Sequence, residues 1–131
     1  MEDQDNLRVV QEMLAAQKRR DTTAVLDALT DDVEWRGSSD ITGSSVLNGR
    51  EEVGRFLTTI FEDVEIMESE ISDFLAQGDK VVLLGRETFR IKSTGRTQEN
   101  NFAVVYTVRD GKIARCQAYD DTAVVMSAFS A

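Results

Sequence analysis

The sequence predicts one α+β domain in which three N-terminal helices pack on the concave face of a cone-shaped, curved antiparallel sheet. Three observations lead to this fold class. Apolar residues recur every three or four positions before Phe61 and every second position after it, and turn residues divide the second part into consecutive strands. Helices that cover one face of an antiparallel meander bury the apolar faces of both layers.

The first two helices are predicted from apolar spacing and from a capping residue. One face of the first helix carries Leu7, Val10, Met13 or Leu14, and Gln17 at helical spacing. Asp21 or Thr22 can cap a second, short helix, on which Val25, Leu26 and Leu29 face inward. Both helices therefore offer an apolar stripe to the sheet.

A short strand and a loop separate these helices from the third one. Residues 33–36 alternate like a strand, and residues 37–48 are rich in Ser and Gly and predict a loop. Asp40 in this loop is either a lid residue or an ordinary solvated acid. The third helix begins at Gly49, and its inward face carries Val53, Phe56, Leu57 and Ile60.

Residues 64–118 are predicted to form a strongly bent antiparallel meander. The turn signals are Gln77-Gly78-Asp79, Ser93-Thr94-Gly95 and Arg109-Asp110-Gly111. Alternation over residues 81–92 places Glu87 on the apolar face of its strand, together with Val81, Leu83, Gly85, Phe89 and Ile91.

The last two strands continue this pattern. The more apolar face of the first of them carries Asn100, Phe102, Val104, Tyr106 and Val108. The final strand, about residues 112–119, turns Ala114, Cys116 and Ala118 inward, and Arg115 and Gln117 outward. Asp120 or Asp121 then caps a short terminal helix over residues 122–129.

Composition limits the class of protein and its partners. The 131 residues fit a single domain over residues 1–131, and 41% apolar residues are enough for a core. A formal net charge of −9 repels polyanions, and Lys18-Arg19-Arg20 is the one basic cluster. Nucleic acid and anionic membranes are therefore not expected as partners. The acidic first residues do not resemble a signal peptide, and no apolar run could span a bilayer, so a cytoplasmic protein is expected.

The scarcity of two residue types restricts the chemistry. The chain has no histidine and one cysteine, Cys116, so a Ser-His-Asp triad, a Cys-His pair, a histidine zinc site and an intrachain disulfide are excluded. No metal and no cofactor are predicted. Any acid–base chemistry must use Asp, Glu, Tyr, Lys or Cys. Cys116 itself is most simply a small buried apolar residue.

The order of elements resembles the nuclear-transport-factor-2-like superfamily, and within it the SnoaL-like and ketosteroid-isomerase-like proteins. The matching segments are residues 9–33, Leu47-Asn48-Gly49-Arg50-Glu51, Ser93-Thr94-Gly95-Arg96, Asp110-Gly111-Lys112-Ile113 and Tyr119-Asp120-Asp121-Thr122. The resemblance covers nearly the whole chain and implies the cystatin-like α+β roll of that superfamily. Its members include isomerases, cyclases, hydrolases, dehydratases and non-enzymes, so the fold does not imply one activity.

The known catalytic sets of these relatives are incomplete in this sequence. The tyrosine and two aspartates of ketosteroid isomerase fall at about Met13, Gly37 and Val104, or Ala103 if the gap moves. A steroid isomerase of that type is therefore not expected.

The Asp-Arg-Asp relay of limonene epoxide hydrolase fares little better. Its three positions fall at Glu87, Gly85 and Ala118, so one acid remains. Scytalone dehydratase and the SnoaL-type cyclases rely on histidine, which is missing here.

Glu87 is the main candidate for a catalytic residue. A carboxylate on an apolar face either finds a partner or has a raised pKa, and a raised pKa suits a general acid or base. The structural alternative is that Glu87 pairs with an inward arginine. Arg86 and Arg90 have the wrong parity for this, which leaves Arg36 or Arg55.

The other candidates surround an expected apolar pocket. Trp35 is either an aromatic wall of the pocket or a core residue, and Asn100 either meets a ligand or satisfies backbone groups. Tyr106, Met13 and Phe102 complete the predicted lining. One of Asp120 and Asp121 caps the last helix, and Asp120, which continues the inward parity, is the second catalytic candidate.

Two functions from different classes follow. The first is an isomerase, cyclase or hydrolase that acts on a small apolar molecule by carboxylate acid–base chemistry at Glu87. The second is a non-catalytic ligand-binding or dimerisation module. A homodimer is expected through the outward face of the last two long strands, which carries Ala103, Val105, Thr107 and Tyr119.

Overall fold

The protein is described by a computed structural model over residues 2–37 and 46–129, which contain four helices and six strands. In chain order these are α1 (Glu2–Lys18), α2 (Thr22–Asp27), β1 (Leu29–Arg36), β2 (Val46–Asn48), α3 (Gly49–Asp63), β3 (Val64–Gln77), β4 (Lys80–Ile91), β5 (Thr97–Arg109), β6 (Lys112–Asp120) and α4 (Thr122–Phe129). Asp40 and most of the predicted loop lie outside the described residues.

The strands form one curved, unclosed mixed sheet in the order β2-β1-β6-β5-β4-β3. The meander from β3 to β6 is antiparallel, as predicted. The all-antiparallel description is wrong at one place, because β1 runs parallel to β6. Turn signals reveal only pairs of strands that follow each other along the chain, and this pair is joined through α3 and the whole meander.

The first third of the chain differs from the prediction at its strand boundaries. Asp21 caps α2 by accepting a hydrogen bond from the Ala24 N–H at 3.1 Å. Helix α2 ends at Asp27, so Leu29 begins β1 instead of continuing the helix, although it is fully buried as expected. The end of the predicted loop forms β2, in which Leu47 pairs with Trp35.

The three N-terminal helices cover one face of the sheet, as predicted. Their buried side chains include Met13 on α1, Val25 on α2 and Leu57 on α3, and these join Leu83 and Tyr106 of the sheet in one apolar cluster, the main core. Removal of such surface from water is the dominant stabilising term in a domain of this size.

A second apolar cluster, the satellite core, lies at the other end of the same face. It contains Val64, Phe89 and Ile91 of the sheet, with Val125 and Ala128 of α4 packed over them. On β4 the main core ends at Leu83 and the satellite core begins at Phe89. The two inward positions between them are Gly85 and Glu87.

The predicted inward faces of β4 and β5 are confirmed, and that of β6 needs one correction. The β5–β6 register shifts by one residue, so that Thr107 pairs with Arg115 and Val108 with Ile113. Ala114 is the unpaired bulge residue, and Ile113 takes the inward, fully buried place predicted for Ala114. A bulge resets the alternation of a strand, which a period of two cannot anticipate.

Gly85 allows β3 to approach β4 where the sheet bends. A Cβ atom at this position would lie 2.5 Å from the backbone oxygen of Glu70, 3.0 Å from the Phe102 ring and 3.2 Å from the Ile71 Cα. The register of β3 against β4 also shifts on either side, after Ile66 and after Ile71. A missing side chain and bulges are features that let a sheet curve, so we infer that this part of β3 and β4 contributes to the curvature.

We expect Gly85→Ala to destabilise the fold by about 1–3 kcal/mol, because the new methyl group meets the backbone of β3 and forces it outward. Gly54→Ala in α3 is the matched control. Its Cβ would meet the end of the Leu26 side chain at 3.2 Å, and alanine favours a helix by about 1 kcal/mol. Urea unfolding checks both. Equal stability of Gly85→Ala and the unchanged protein would contradict this account of the bend.

Candidate functional site

Glu87 lies on the inward face of β4, in the gap between the main and satellite cores. Its cross-strand neighbours are Asn100 on β5 and Ser69 on β3. Gly85 and Phe89 precede and follow it on the same face. The alternation of β4 therefore places a half-buried carboxyl group on the inward face, as the sequence predicted, with polar neighbours across the strands and Gly85 and Phe89 along its own strand.

Asn100 and Asp120 lie next to Glu87 on the same face. Asp120 pairs with Phe102 across β5 and β6, and its carboxylate Oδ1 accepts a hydrogen bond from Asn100 Nδ2 at 3.0 Å. Asn100 is buried and makes a second hydrogen bond, in which its Oδ1 accepts from the Asp121 N–H, also at 3.0 Å. The expectation that Asn100 satisfies a backbone group is thus confirmed, and it also binds a candidate acid.

The sequence left open which aspartate caps the last helix, and the structure decides it. Asp121 accepts the Val124 N–H at its side chain, at 3.4 Å, and the Val125 N–H at its backbone oxygen, at 3.0 Å. Asp121 is therefore the capping residue of α4. Asp120 is released from that role and turns its carboxyl group inward beside Asn100.

The surroundings of Glu87 raise its pKa to about 7. Burial, which disfavours the charged form, is the larger cause, and the negative charge of Asp120 adds to it. No basic side chain pairs with Glu87 within residues 2–37 and 46–129. Arg36 pairs with Glu34 and Arg55 pairs with Glu51. Neither of the two arginines considered as structural partners therefore neutralises Glu87.

Three of the predicted lining residues lie elsewhere. Met13, Trp35 and Tyr106 are buried in the main core, and Tyr106 pairs with Val81, six residues before Glu87 on β4. At about 3.3 Å per residue this is a separation of roughly 20 Å along the strand. Phe102, by contrast, is half-buried beside Gly85. The structure therefore groups Glu87 with Asn100, Phe102 and Asp120.

Two further titratable groups of the inward face do not ionise at neutral pH. Burial raises the pKa of the Tyr106 hydroxyl and of the Cys116 thiol, so both groups stay protonated. Cys116 is paired with Tyr106 and packed in the main core, as expected of a small apolar residue. Glu87 is thus the group of the described inward face whose pKa lies near neutral pH.

The hollow that the described residues form beside Glu87 is small. It measures about 10 Å³ and is lined by Glu68, Glu70, Arg86, Glu87 and Thr88. Arg86 and Thr88 alternate with Glu87 along β4 and pair with Glu70 and Glu68, so this hollow opens on the outward face of the sheet, opposite to the Glu87 side chain. A space of that size holds one water molecule. An enclosed apolar pocket large enough for a ligand stays a prediction.

The described residues contain neither a group of three potential metal ligands nor a helix that could cross a membrane. Alternation alone located Glu87 and Asp120 on the inward face. The contact between Asn100 and Asp120 was missed, because no pattern in the sequence gives the register of β5 against β6. The close approach at Gly85 left a signal, a glycine inside a strand, which usually marks a bulge or a near neighbour.

Residues 10–116 match the family model of the SnoaL-like domain. The comparison with curated proteins finds no relative of this chain. Among solved structures, an NTF2-like protein of Burkholderia xenovorans LB400 is 31% identical and has a TM-score of 0.90, with 98% of each chain covered.

Two more distant structures share the fold. An LEH-like epoxide hydrolase of M. tuberculosis is 23% identical, with a TM-score of 0.78 over 98% of this chain and 91% of that chain. A protein of Catenulispora acidiphila with a ketosteroid isomerase-like fold, in complex with trimethylamine, is 17% identical, with a TM-score of 0.77 over 92% and 90%.

Replacing Glu87 by Gln is expected to stabilise the protein above pH 7 and to leave it unchanged near pH 4. Folding raises the pKa of Glu87 from 4.5 to about 7. The penalty for an ionised, buried carboxylate is therefore absent below about pH 4.5 and complete above about pH 7, where it reaches at most about 3 kcal/mol. Urea unfolding of both proteins at pH 4, 6 and 8 measures the difference.

Glu99→Gln is the matched control for this experiment. It removes the same charge from an exposed position on β5, on the opposite face from Asn100. It also removes an exposed ion pair with Arg86, so its effect should stay within about 1 kcal/mol and, unlike that of Glu87→Gln, should not change between pH 6 and pH 8. A loss of several kcal/mol in Glu87→Gln at every pH would show instead that Glu87 belongs to a structural ion pair.

Proposed function

This chain belongs to the SnoaL-like domain family, and we propose that it is a pocket protein of that family in which Glu87 transfers a proton to or from a small, largely apolar molecule. The observation that carries the proposal is that the half-buried carboxyl group of Glu87 lies beside that of Asp120. Among the described residues, no basic side chain is paired with Glu87. The activity is of the isomerase, cyclase or hydrolase type.

The two carboxyl groups suit acid–base chemistry near neutral pH. A general acid or base is most effective when its pKa lies near the working pH, and burial together with Asp120 brings Glu87 there. We call the gap between the main and satellite cores, at Gly85 and Glu87, the seam. Apolar side chains on either side of it, Phe89 and Phe102, would hold a hydrophobic substrate. The low polarity that raises the pKa of Glu87 also strengthens its interactions with developing charge.

The relatives support a proton transfer but not a shared catalytic set. The epoxide hydrolase of the same fold has a chemistry that fits a carboxylate, yet Gly85 and Ala118 replace the arginine and second aspartate of the limonene epoxide hydrolase relay. Asp120, two residues after Ala118 and on the same inward face, supplies the second acid here. We therefore propose a two-carboxyl site and not a copy of that relay.

A non-catalytic module that binds a ligand or dimerises is the second candidate. It is favoured by the burial of Met13, Trp35 and Tyr106 in the main core, since these side chains fill space that a deep pocket would need. In this case Glu87 would be a polar anchor for a ligand at the seam. A cytoplasmic location is proposed for either function, because Cys116 is a buried thiol and no disulfide is needed.

We further propose that two copies associate through the outward face of the sheet. Two cross-strand rows on this face carry apolar side chains, Leu75–Val82–Val105 and Leu84–Ala103–Tyr119. Leu75 and Tyr119 are more than half exposed, at 57% and 55%. A contiguous apolar surface of this kind is typical of a protein interface.

The proton-transfer proposal is tested with probes that need no knowledge of the natural substrate. Small cyclic ketones and a β,γ-unsaturated ketone are incubated in D2O, and styrene oxide in ¹⁸O-labelled water, and isotope incorporation is followed by mass spectrometry. We expect at least one probe to react faster than in buffer, with a rate that changes through about pH 7. Glu87→Gln should reduce that rate by about 100-fold or more, and the Glu99→Gln control should not.

The same proteins distinguish the binding module. If no probe reacts faster than in buffer, while a neutral apolar dye binds Glu87→Gln and the unchanged protein equally well, the enzyme proposal is wrong. Reaction of Glu87→Gln at the full rate would equally remove Glu87 from the chemistry.

The association proposal predicts a dimer mass at micromolar concentration in light scattering. Val105→Glu places a charge in the middle of the apolar rows and should give a monomer, because two buried, unpaired carboxylates cost more than the interface gains. Thr97→Glu, at the exposed start of β5, is the control and should stay dimeric. A monomeric unchanged protein would contradict the proposal.

A further inference from the structure

Asn100 is the most deeply buried polar side chain of the described inward face, with 2% of its surface exposed. Its amide makes two contacts of opposite polarity. Nδ2 donates to the Asp120 carboxylate, and Oδ1 accepts from the Asp121 N–H, each at 3.0 Å. A carboxylate can only accept and an N–H can only donate, so these partners fix the orientation of the amide.

We propose that Asn100 is a positioning residue: its amide holds the Asp120 carboxylate beside Glu87 and ties it to the backbone of Asp121, the residue that caps α4. The inference rests on the proposed function for the use of the two acids, but its contacts stand independently of any activity. No other side-chain type of this length offers both a donor and an acceptor. Aspartate would repel Asp120, and leucine would leave the Asp121 N–H without a partner.

The position of Asp120 matters because its charge acts on Glu87. The interaction of two carboxylates depends steeply on their separation in a partly desolvated site. Asp120 is the last residue of β6, where the strand gives way to a helix, and the strand ladder alone does not fix its side chain. The hydrogen bond from Asn100 supplies one such restraint, from the strand next to Glu87.

The second contact connects the site to α4. Asp121 caps this helix, and Val125 and Ala128 on its inward side pack over Phe89 and Ile91. Phe89 is two residues from Glu87 on the same face of β4. Asn100, a residue of the sheet, therefore connects Asp120 to the helix that covers the satellite core.

The remaining charges around Glu87 are few in the described part of the chain. Glu68, Glu70 and Arg86 line the small hollow on the outward face of the sheet, where Arg86 pairs with Glu70 and Glu99. The charge that raises the pKa of Glu87 is that of Asp120. A change at Asn100 should consequently reach Glu87 through Asp120.

The test is a double-mutant cycle read out by the titration of Glu87, followed by carboxyl ¹³C NMR. Asp120→Asn should lower the titration midpoint of Glu87 by about one pH unit, because the neighbouring charge is gone. Asn100→Ala should lower it in the same direction, because Asp120 is no longer held in place. In the double variant the effect should equal that of Asp120→Asn alone.

Asn6→Ala is the matched control for lost stability. Asn6 is also a buried asparagine, and it donates to the Gly78 oxygen at 3.0 Å, in the turn at the far end of β4. The change removes a buried hydrogen bond far from the site and should leave the titration of Glu87 unchanged. If Asn100→Ala does not fold, Asn100→Thr, which suits a strand and loses at least one of the two contacts, takes its place in the cycle.

The outcomes separate the two proposals. An unchanged Glu87 midpoint in the Asn100 variants, or a shift that adds fully to that of Asp120→Asn, would overturn the positioning role. A midpoint of Glu87 near its ordinary value in the unchanged protein would instead overturn the proposed function. If Asn6→Ala shifts the midpoint as much as Asn100→Ala does, general loosening explains both, and the positioning role is wrong.

Discussion

The candidate site depends on one carboxyl group that lies on the inward face of the sheet with no basic side chain paired to it among the described residues. Glu87 occupies the seam between two apolar clusters, where the charged form is disfavoured by burial and by the charge of Asp120. A buried carboxylate with an arginine partner would be a structural ion pair. Without one, the group stays close to the balance between its two protonation states, and that balance makes it suitable for moving protons.

The residues around the seam accommodate the Glu87 carboxyl group. Gly85 lets the sheet bend beside it, Asn100 satisfies the neighbouring aspartate, and α4 closes the satellite core on its other side. Asp121, as the helix cap, frees Asp120 to face inward. Together these features place the carboxyl groups of Glu87 and Asp120 on one face of the sheet.

Family membership and chemistry are separate questions in this protein. The SnoaL-like domain covers residues 10–116, and the likeness to an NTF2-like protein covers 98% of the chain. The resemblance to limonene epoxide hydrolase, by contrast, implies a relay for which Gly85 and Ala118 cannot serve. One fold supports many activities because the sheet and helices are maintained by the core, while the site depends on a few side chains. The proposed pair, Glu87 with Asp120, is such a local change on a shared scaffold.

The sequence by itself determined the local structure: the helices from their apolar spacing, the hairpins from their turn residues, and the inward side of Glu87 from alternation along β4. These signals act over a few residues, so they survive without knowledge of the fold. The parallel contact of β1 with β6, the bulge at Ala114 and the meeting of Asn100 with Asp120 were decided only by the tertiary structure. Each involves residues far apart in the chain or a shift in register, and the pKa of Glu87 likewise depends on which groups surround it in space. Desolvation and charge act through distance in the folded molecule, which no periodicity along the chain records.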